Sequence, residues 1–269
     1  MTRRRFYAMP DNIADSMITL SADETHHLVH LLRMTPGNEA FVFDGCGHEY
    51  RCNFRKVEHN HARLEITEAL SDIVESPLHL TLAQGLAKGE KFDFIVQKAT
   101  ELGVSTIAPL ITRYSDVRFD EQQKKKRVER WRRISLEAMK QCGRRKLVDI
   151  ALPRSLREFI AANASPDRSP FPASHDQRVL LLFTERDGES VTDALGERQE
   201  SGSVIALIGP EGGWSEDEME ALNDYGCTAV TLGPRVLRTE TAAVVAIALI
   251  QQAMGDLSAQ RAQSQGRVS

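Results

Sequence analysis

The rhythm of apolar and polar positions changes near residue 75. Before that point, short apolar stretches predict strands over 16–20, 39–44, 48–57 and 62–67, and Arg63-Leu64-Glu65-Ile66-Thr67 alternates as a half-buried strand does. Turn residues at Pro36-Gly37 and Asp44-Gly45-Cys46-Gly47 separate these runs, and 23–33 reads as a short helix. The pattern predicts a small barrel or sandwich carrying one helix.

From Pro77 onward strands and helices alternate. Apolar runs predict strands over 78–82, 107–111, 179–183, 204–208 and 229–232. Phe92, Ile95, Val96, Ala99 and Leu102 recur at helical spacing, with Gly103 placed to end the helix. A basic helix is expected over 121–141, burying Val128, Trp131, Ile134 and Ala138. Ser215-Glu216-Asp217-Glu218 is a capping box opening a helix that ends near Gly226, and 240–254 forms a last helix. The stretch 165–177, with three prolines, is a loop or linker. Such alternation implies an α/β unit with a mainly parallel sheet covered on both faces.

Two of these strands stop at a Gly-Pro, in Leu207-Ile208-Gly209-Pro210-Glu211-Gly212-Gly213 and in Leu232-Gly233-Pro234-Arg235-Val236-Leu237-Arg238-Thr239-Glu240-Thr241. Glycine turns at neighbouring strand ends let backbone N–H and C=O groups reach a ligand with no side chain between. A flat, polar-edged cofactor suits such a crevice. No G-x-G-x-x-G follows an early strand and no G-x-x-x-x-G-K-[ST] is present, so the common nucleotide-phosphate loops are excluded.

Composition adds little until charge is located. The chain of 269 residues carries a net charge of −4, which alone argues against nucleic acid. Its basic residues are nevertheless clustered, at Arg3–Arg5 and in a block holding Lys124–Arg127, Arg130, Arg132, Arg133, Lys140 and Arg144–Lys146. Acidic residues gather elsewhere, at Glu216, Asp217, Glu218 and Glu220. Separated charge marks a surface that meets phosphates, although a solvated helical face gives the same run. Cys46, Cys52, Cys142 and Cys227 are scattered, which fits a reduced cytoplasmic chain and disfavours structural zinc. The charged N-terminus reads as no signal peptide, and the longest apolar run, 242–250, is too short for a bilayer, which needs about 20 apolar residues.

Several clusters compete as chemistry. His26 and His30 share a helical face, but the Glu of H-E-x-x-H and a third ligand are missing, so no metal is expected. Arg238 and Glu240 stand at the second glycine turn, where they can face substrate; equally, Thr239 can cap the helix and Glu240 complement its dipole. Glu211 lies in the first turn with no helix-periodic role.

The two glycine turns together resemble the cofactor motif of the SPOUT superfamily of knotted methyltransferases. Further stretches narrow the resemblance to the bacterial 16S ribosomal RNA uridine-N3 methyltransferases over nearly the whole chain. These are Lys88-Gly89-Glu90-Lys91, Gln97-Lys98-Ala99-Thr100-Glu101-Leu102-Gly103-Val104, Glu137 with Gln141-Cys142-Gly143-Arg144, Arg4-Arg5-Phe6-Tyr7, His26-His27-Leu28 and Phe43-Asp44-Gly45. One departure stands out: where the family carries a proline soon after its Gly-Arg pair, this chain has Lys146-Leu147-Val148.

The resemblance implies a PUA-like RNA-binding β-barrel over 1–73, a trefoil-knotted SPOUT domain over 74–257 and a polar tail over 258–269. It implies S-adenosylmethionine as methyl donor, a homodimer, and 16S ribosomal RNA of the small subunit as partner. By position, the donor would be held by Leu182, Thr184 and Glu185, by Leu207, Ile208, Gly209, Pro210, Glu211, Gly212 and Gly213, and by Leu232, Gly233, Leu237, Arg238, Thr239 and Thr241. Transfer to N3 of uracil displaces a proton, so either a base that accepts it or a group that stabilises the anion is required, each able to contribute about 10²–10⁴-fold. Arg238 suits the first role and Glu240 or Glu211 the second. Arg3, Arg4, Arg5, Arg33, Arg113, Arg144 and Arg145 are the expected phosphate contacts. A ribose 2′-hydroxyl as acceptor, or a non-catalytic RNA-binding assembly protein, are the rival readings.

Overall fold

A computed structural model describes residues 3–71, 75–115, 119–164, 178–196 and 202–257, so the expected 165–177 linker and the tail from 258 lie outside the described residues. The chain divides into two units, Met1–Glu75 with Leu136–Leu147, and Ser76–Ser135 with Val148–Ser269.

In the first unit, β1 (Arg5–Tyr7), β2 (Ile13–Ala14), β3 (Met17–Thr19), α1 (Ala22–His26), β4 (Glu39–Phe43), β5 (Glu49–Glu58) and β6 (His61–Leu70) follow in order. The strands form one curled sheet in the order β1-β4-β5-β6-β3-β2, a half-barrel with β1 and β2 at its edges. Helix α1 is capped by the Ser21 hydroxyl, which accepts from Glu24 N–H. The expected helix over 23–33 then widens into a π-helical turn at His27–Leu31, where Leu32 N–H reaches back to His27 O at 3.0 Å. Inward-facing Phe6, Ile18, Leu20, Leu28, Val42, Phe54 and Leu64 make the core.

The second unit contains β7 (His79–Gly85), α2 (Lys91–Glu101), β8 (Thr106–Ile111) and α3 (Glu121–Cys142), whose last turns belong to the first unit. There follow β9 (Asp149–Ile150), β10 (Arg154–Ser155), α4 (Leu156–Ala164), β11 (Arg178–Thr184), β12 (Glu189–Ser190) and α5 (Val191–Leu195). Last come β13 (Ser203–Ile208), α6 (Glu216–Asp224), β14 (Thr228–Thr231) and α7 (Thr239–Met254). Strand order is β10-β8-β7-β13-β11-β14-β12 with β9 beside β8, and every pairing in this sheet is parallel.

Alternate residues of the central strands feed two cores, as the two-residue period of a strand requires. Val179, Leu181 and Phe183 join Val204, Ala206 and Ile208 on the face covered by α2, α3, α5 and α7. Leu180, Leu182, Ile205 and Leu207 face α4 and α6 on the other side. Helix α2 ends at Gly103, whose φ of +82° is the left-handed stop its position predicted. The Ser215 capping box is present with both of its hydrogen bonds. No helix among the described residues is long and apolar enough to cross a membrane.

Candidate active site

In an open parallel sheet the strand C-termini border a crevice where ligands bind. Here the ends of β11, β13 and β14, with the start of α7, enclose a cavity of about 760 Å³, within the usual size of a small-molecule site. Thr184 and Glu185 come from the first of these ends, Ile208, Gly209, Pro210, Glu211, Gly212 and Gly213 from the second, and Leu232, Gly233, Leu237, Arg238 and Thr239 from the third. Elements far apart in sequence thus meet at one wall.

Close backbone contacts fix the first glycine turn. A Cβ on Gly85, at the end of β7, would stand 2.5 Å from the Pro210 nitrogen, and one on Gly212 would stand 2.7 Å from Tyr114 Cβ. Gly213 takes φ +70° and closes the turn by donating to Pro210 O at 3.0 Å. The Thr239 hydroxyl donates to Gly209 O at 2.7 Å and accepts from Gln84 Nε2 at 3.0 Å, tying this turn to the start of α7. The second turn is looser: Gly233 has φ +98° with open space where a Cβ would stand, and Val236 is 60% exposed.

Thr239 is therefore not the helix cap that the sequence allowed. Arg238 occupies the cap position, with extended backbone and no side-chain cap bond, leaving its exposed guanidinium at the cavity wall. One residue along a helix is a turn of about 100°. Arg238, Thr239 and Ala242 consequently face the cavity, whereas Glu240 and Thr241 are absent from its wall. Leu182 and Leu207 do not line it either; both are fully buried in the sheet core.

Glu211 lines this cavity and is held there by Lys88 and Lys91. Burial would raise its carboxyl, but hydrogen bonds from Lys91 Nζ at 2.7 Å and from backbone N–H groups including Lys88 outweigh that, and its pKa lies below the ordinary carboxylate value. Lys91, Trp214 and Arg235 also line the wall, and Trp214 Nε1 donates to Phe183 O at 3.3 Å. Sequence reasoning passed over Gln84 and Trp214. An amide ending an otherwise apolar buried strand was the available signal for Gln84.

The expected phosphate contacts divide. Arg3, Arg4, Arg33 and Arg113 are exposed. Arg5, Arg144 and Arg145 are buried, at 6%, 6% and 3% exposure, which corrects their expected role. Arg5 Nε and Arg145 Nη2 both reach Glu49, at 2.6 and 2.9 Å, and Arg144 Nη2 reaches Glu75 at 2.9 Å. Arg5 also donates to the carbonyls of Met139 and Arg144. A charge removed from water must be paired, and these three are paired inside the first unit. The His26 and His30 rings lie with centroids 4.8 Å apart, tilted by 38°, and no group of three metal-ligating side chains occurs among the described residues.

Residues 74–251 match the family model of an RNA methyltransferase domain, and 20–67 match that of an RNA methyltransferase PUA domain. The chain belongs to this RNA methyltransferase family. The ribosomal RNA small subunit methyltransferase E of Synechocystis sp. is 31% identical, over 91% of this chain and 76% of its own length. That of Bacillus subtilis is 30% identical, over 86% and 88%. The crystal structure of the Neisseria gonorrhoeae ribosomal RNA small subunit methyltransferase E bound to S-adenosyl methionine covers 95% of this RNA methyltransferase and all of its own chain, at TM-score 0.82 and 32% identity. A Legionella pneumophila methyltransferase structure in complex with SAM covers 96% at TM-score 0.84 and 31% identity. The residues present fit such a donor: Gly213 and Gly233 line the cavity with open space where a Cβ would stand, so no side chain separates their backbone from a ligand there.

Proposed function

We propose that this enzyme methylates N3 of a uridine in 16S ribosomal RNA, with S-adenosylmethionine as donor. Family membership supports the reaction class, a donor-dependent ribosomal RNA methyltransferase. The observation that carries it to this chain is the cavity of about 760 Å³, walled by the backbone-rich turns Gly209–Gly213 and 232–238. When bound, S-adenosylmethionine supplies a methyl group on a sulfonium, an electrophile that needs no metal.

The side chains have a clear task at the acceptor. As the N3–methyl bond forms, the N3 proton must leave, and negative charge passes through O2 and O4 of the ring. Arg238, exposed at the wall and with no side-chain cap bond, is assigned to face that charge. Neither expected base is retained: Glu240 stands off the wall, and Glu211 is a weakened base held by Lys91. The proton passes to solvent at the open rim. Because N3 lies on the pairing edge, the uridine must be unpaired or flipped. Arg3, Arg4, Arg33 and Arg113 hold the RNA backbone, so binding weakens steeply with salt. We extend the reading to a homodimer, a cytoplasmic location and a trefoil-knotted path in the second unit, all implied by the family resemblance.

Tritiated-methyl transfer to small ribosomal subunits and to naked 16S RNA, followed by digestion to nucleosides, tests this. Label in N3-methyluridine is the expected result. Label on a ribose 2′-oxygen would replace the acceptor, and no transfer with no calorimetric donor binding would leave an RNA-binding protein.

A further inference from the structure

The crest of strand ends continues past the donor cavity. On the far side of the Gly209–Gly213 turn, where β7 and β8 lie beside β13, a second hollow of about 560 Å³ is lined by Lys88, Lys91, Arg113, Tyr114, Glu211 and Gly212. Glu211, Gly212 and Lys91 belong to both hollows, so one glycine turn is the wall between them.

Arg113 and Tyr114 are the two central residues of a turn after β8. That turn is pinned twice at its base: Ser115 N–H donates to Thr112 O at 3.1 Å, and Thr112 N–H donates to Ser115 Oγ at 3.1 Å. Tyr114 packs against the bare backbone of Gly212 and is 50% exposed. Arg113 and Lys88 are exposed. Among the described residues the nearby carboxylates are already engaged. Glu211 accepts from Lys88 N–H and Lys91 Nζ, and Glu218 accepts from Arg113 N–H at 2.8 Å and Ser215 N–H at 3.0 Å. Among the described residues the cations outnumber them, and an aromatic face stands beside the cations. A phosphodiester with a splayed base meets both chemistries at once.

We propose that this hollow binds the nucleotide next to the target uridine, Arg113 and Lys88 holding its phosphate while Tyr114 stacks on its base. The assignment rests on the RNA methyltransferase reading above. It makes Tyr114 and Arg113 positioning residues: by holding the neighbour, they set how far the target base reaches over the shared wall.

The test uses full-length enzyme loaded with S-adenosylhomocysteine and a fluorescent single-stranded RNA containing the methylated segment, read by anisotropy across a salt series. Tyr114→Ala is expected to weaken RNA binding about tenfold, the size of one lost base–aromatic stack, and Tyr114→Phe to retain it within about twofold. Arg113→Gln should lower the slope of log K against log salt by about 1. Calorimetric affinity for S-adenosylhomocysteine should stay unchanged in all three. If Tyr114→Ala and Arg113→Gln bind RNA like wild type while wild type methylates the subunit, the neighbour site is wrong and the enzyme assignment survives. An effect of Arg113→Gln without one of Tyr114→Ala would reduce the hollow to a simple anion site and overturn the stacked nucleotide. Equal loss of S-adenosylhomocysteine and RNA binding would make the turn a support for the donor cavity alone. Failure of wild type both to bind RNA and to transfer methyl removes the enzyme reading and this inference with it.

Discussion

Arg5, Arg144 and Arg145 in the first unit are almost fully buried against Glu49 and Glu75, whereas Arg113 and Arg238 in the second stand exposed beside hollows. All five are expected, from the sequence, to face an anion. The buried group crosslinks β1, β5 and the 136–147 segment; the exposed pair adjoins space that an anionic ligand can enter. Position among partners, not residue type, separates the two uses. A buried guanidinium is costly once its carboxylate is removed, while an exposed one can be deleted with little effect on stability.

Glu49→Ala is the harshest trial of that distinction. It leaves Arg5 and Arg145 without their shared carboxylate and should lower stability by about 3–5 kcal/mol in denaturant titration. A loss under about 1 kcal/mol would place these arginines with the exposed ones. Arg238→Ala should leave the unfolding midpoint nearly unchanged yet slow methyl transfer at saturating donor by about 10²-fold. Full activity in that variant would end its electrostatic role. Between these extremes lies the partly exposed Lys91–Glu211 pair, of the kind that contributes at most about 1 kcal/mol. Because the Glu211 pKa is lowered on folding, its contribution is present above the ordinary carboxylate pKa of about 4.3 and disappears as pH falls through the lower folded value. Glu211→Gln should therefore flatten the acid limb of the stability curve below about pH 4.3. An unchanged limb would show the pair to be silent.

The same distinction explains what could be read ahead of the structure. Strands β7, β11 and β13 are runs of apolar residues buried on both faces, so they announced themselves. Gly103 and the Ser215 box mark helix ends by local chemistry alone. Strands β1, β9, β10 and β12 are two or three residues long and offer no period, and α4 has only nine residues beside the prolines of 165–177. Both glycine turns were legible because a Gly-Pro after an apolar run is local. The direction of Glu240 was not, since a single step along α7 decides whether a side chain meets the cavity. Nor was the burial of Arg5, whose carboxylate partner lies 44 residues away along the chain.

The last turns of α3 and the stretch after them, 136–147, belong to the first unit before the chain returns to the second. During synthesis, β7, α2 and β8 emerge while the half-barrel still lacks Arg144 and Arg145. Its final ion pairs form only when a later stretch of nascent chain arrives, so the two units mature in overlapping time and not one after the other. A gene fragment stopping at Glu75 would strand Glu49 and Glu75 beside an unfinished surface, and such a fragment is a poor choice for studying RNA binding in isolation.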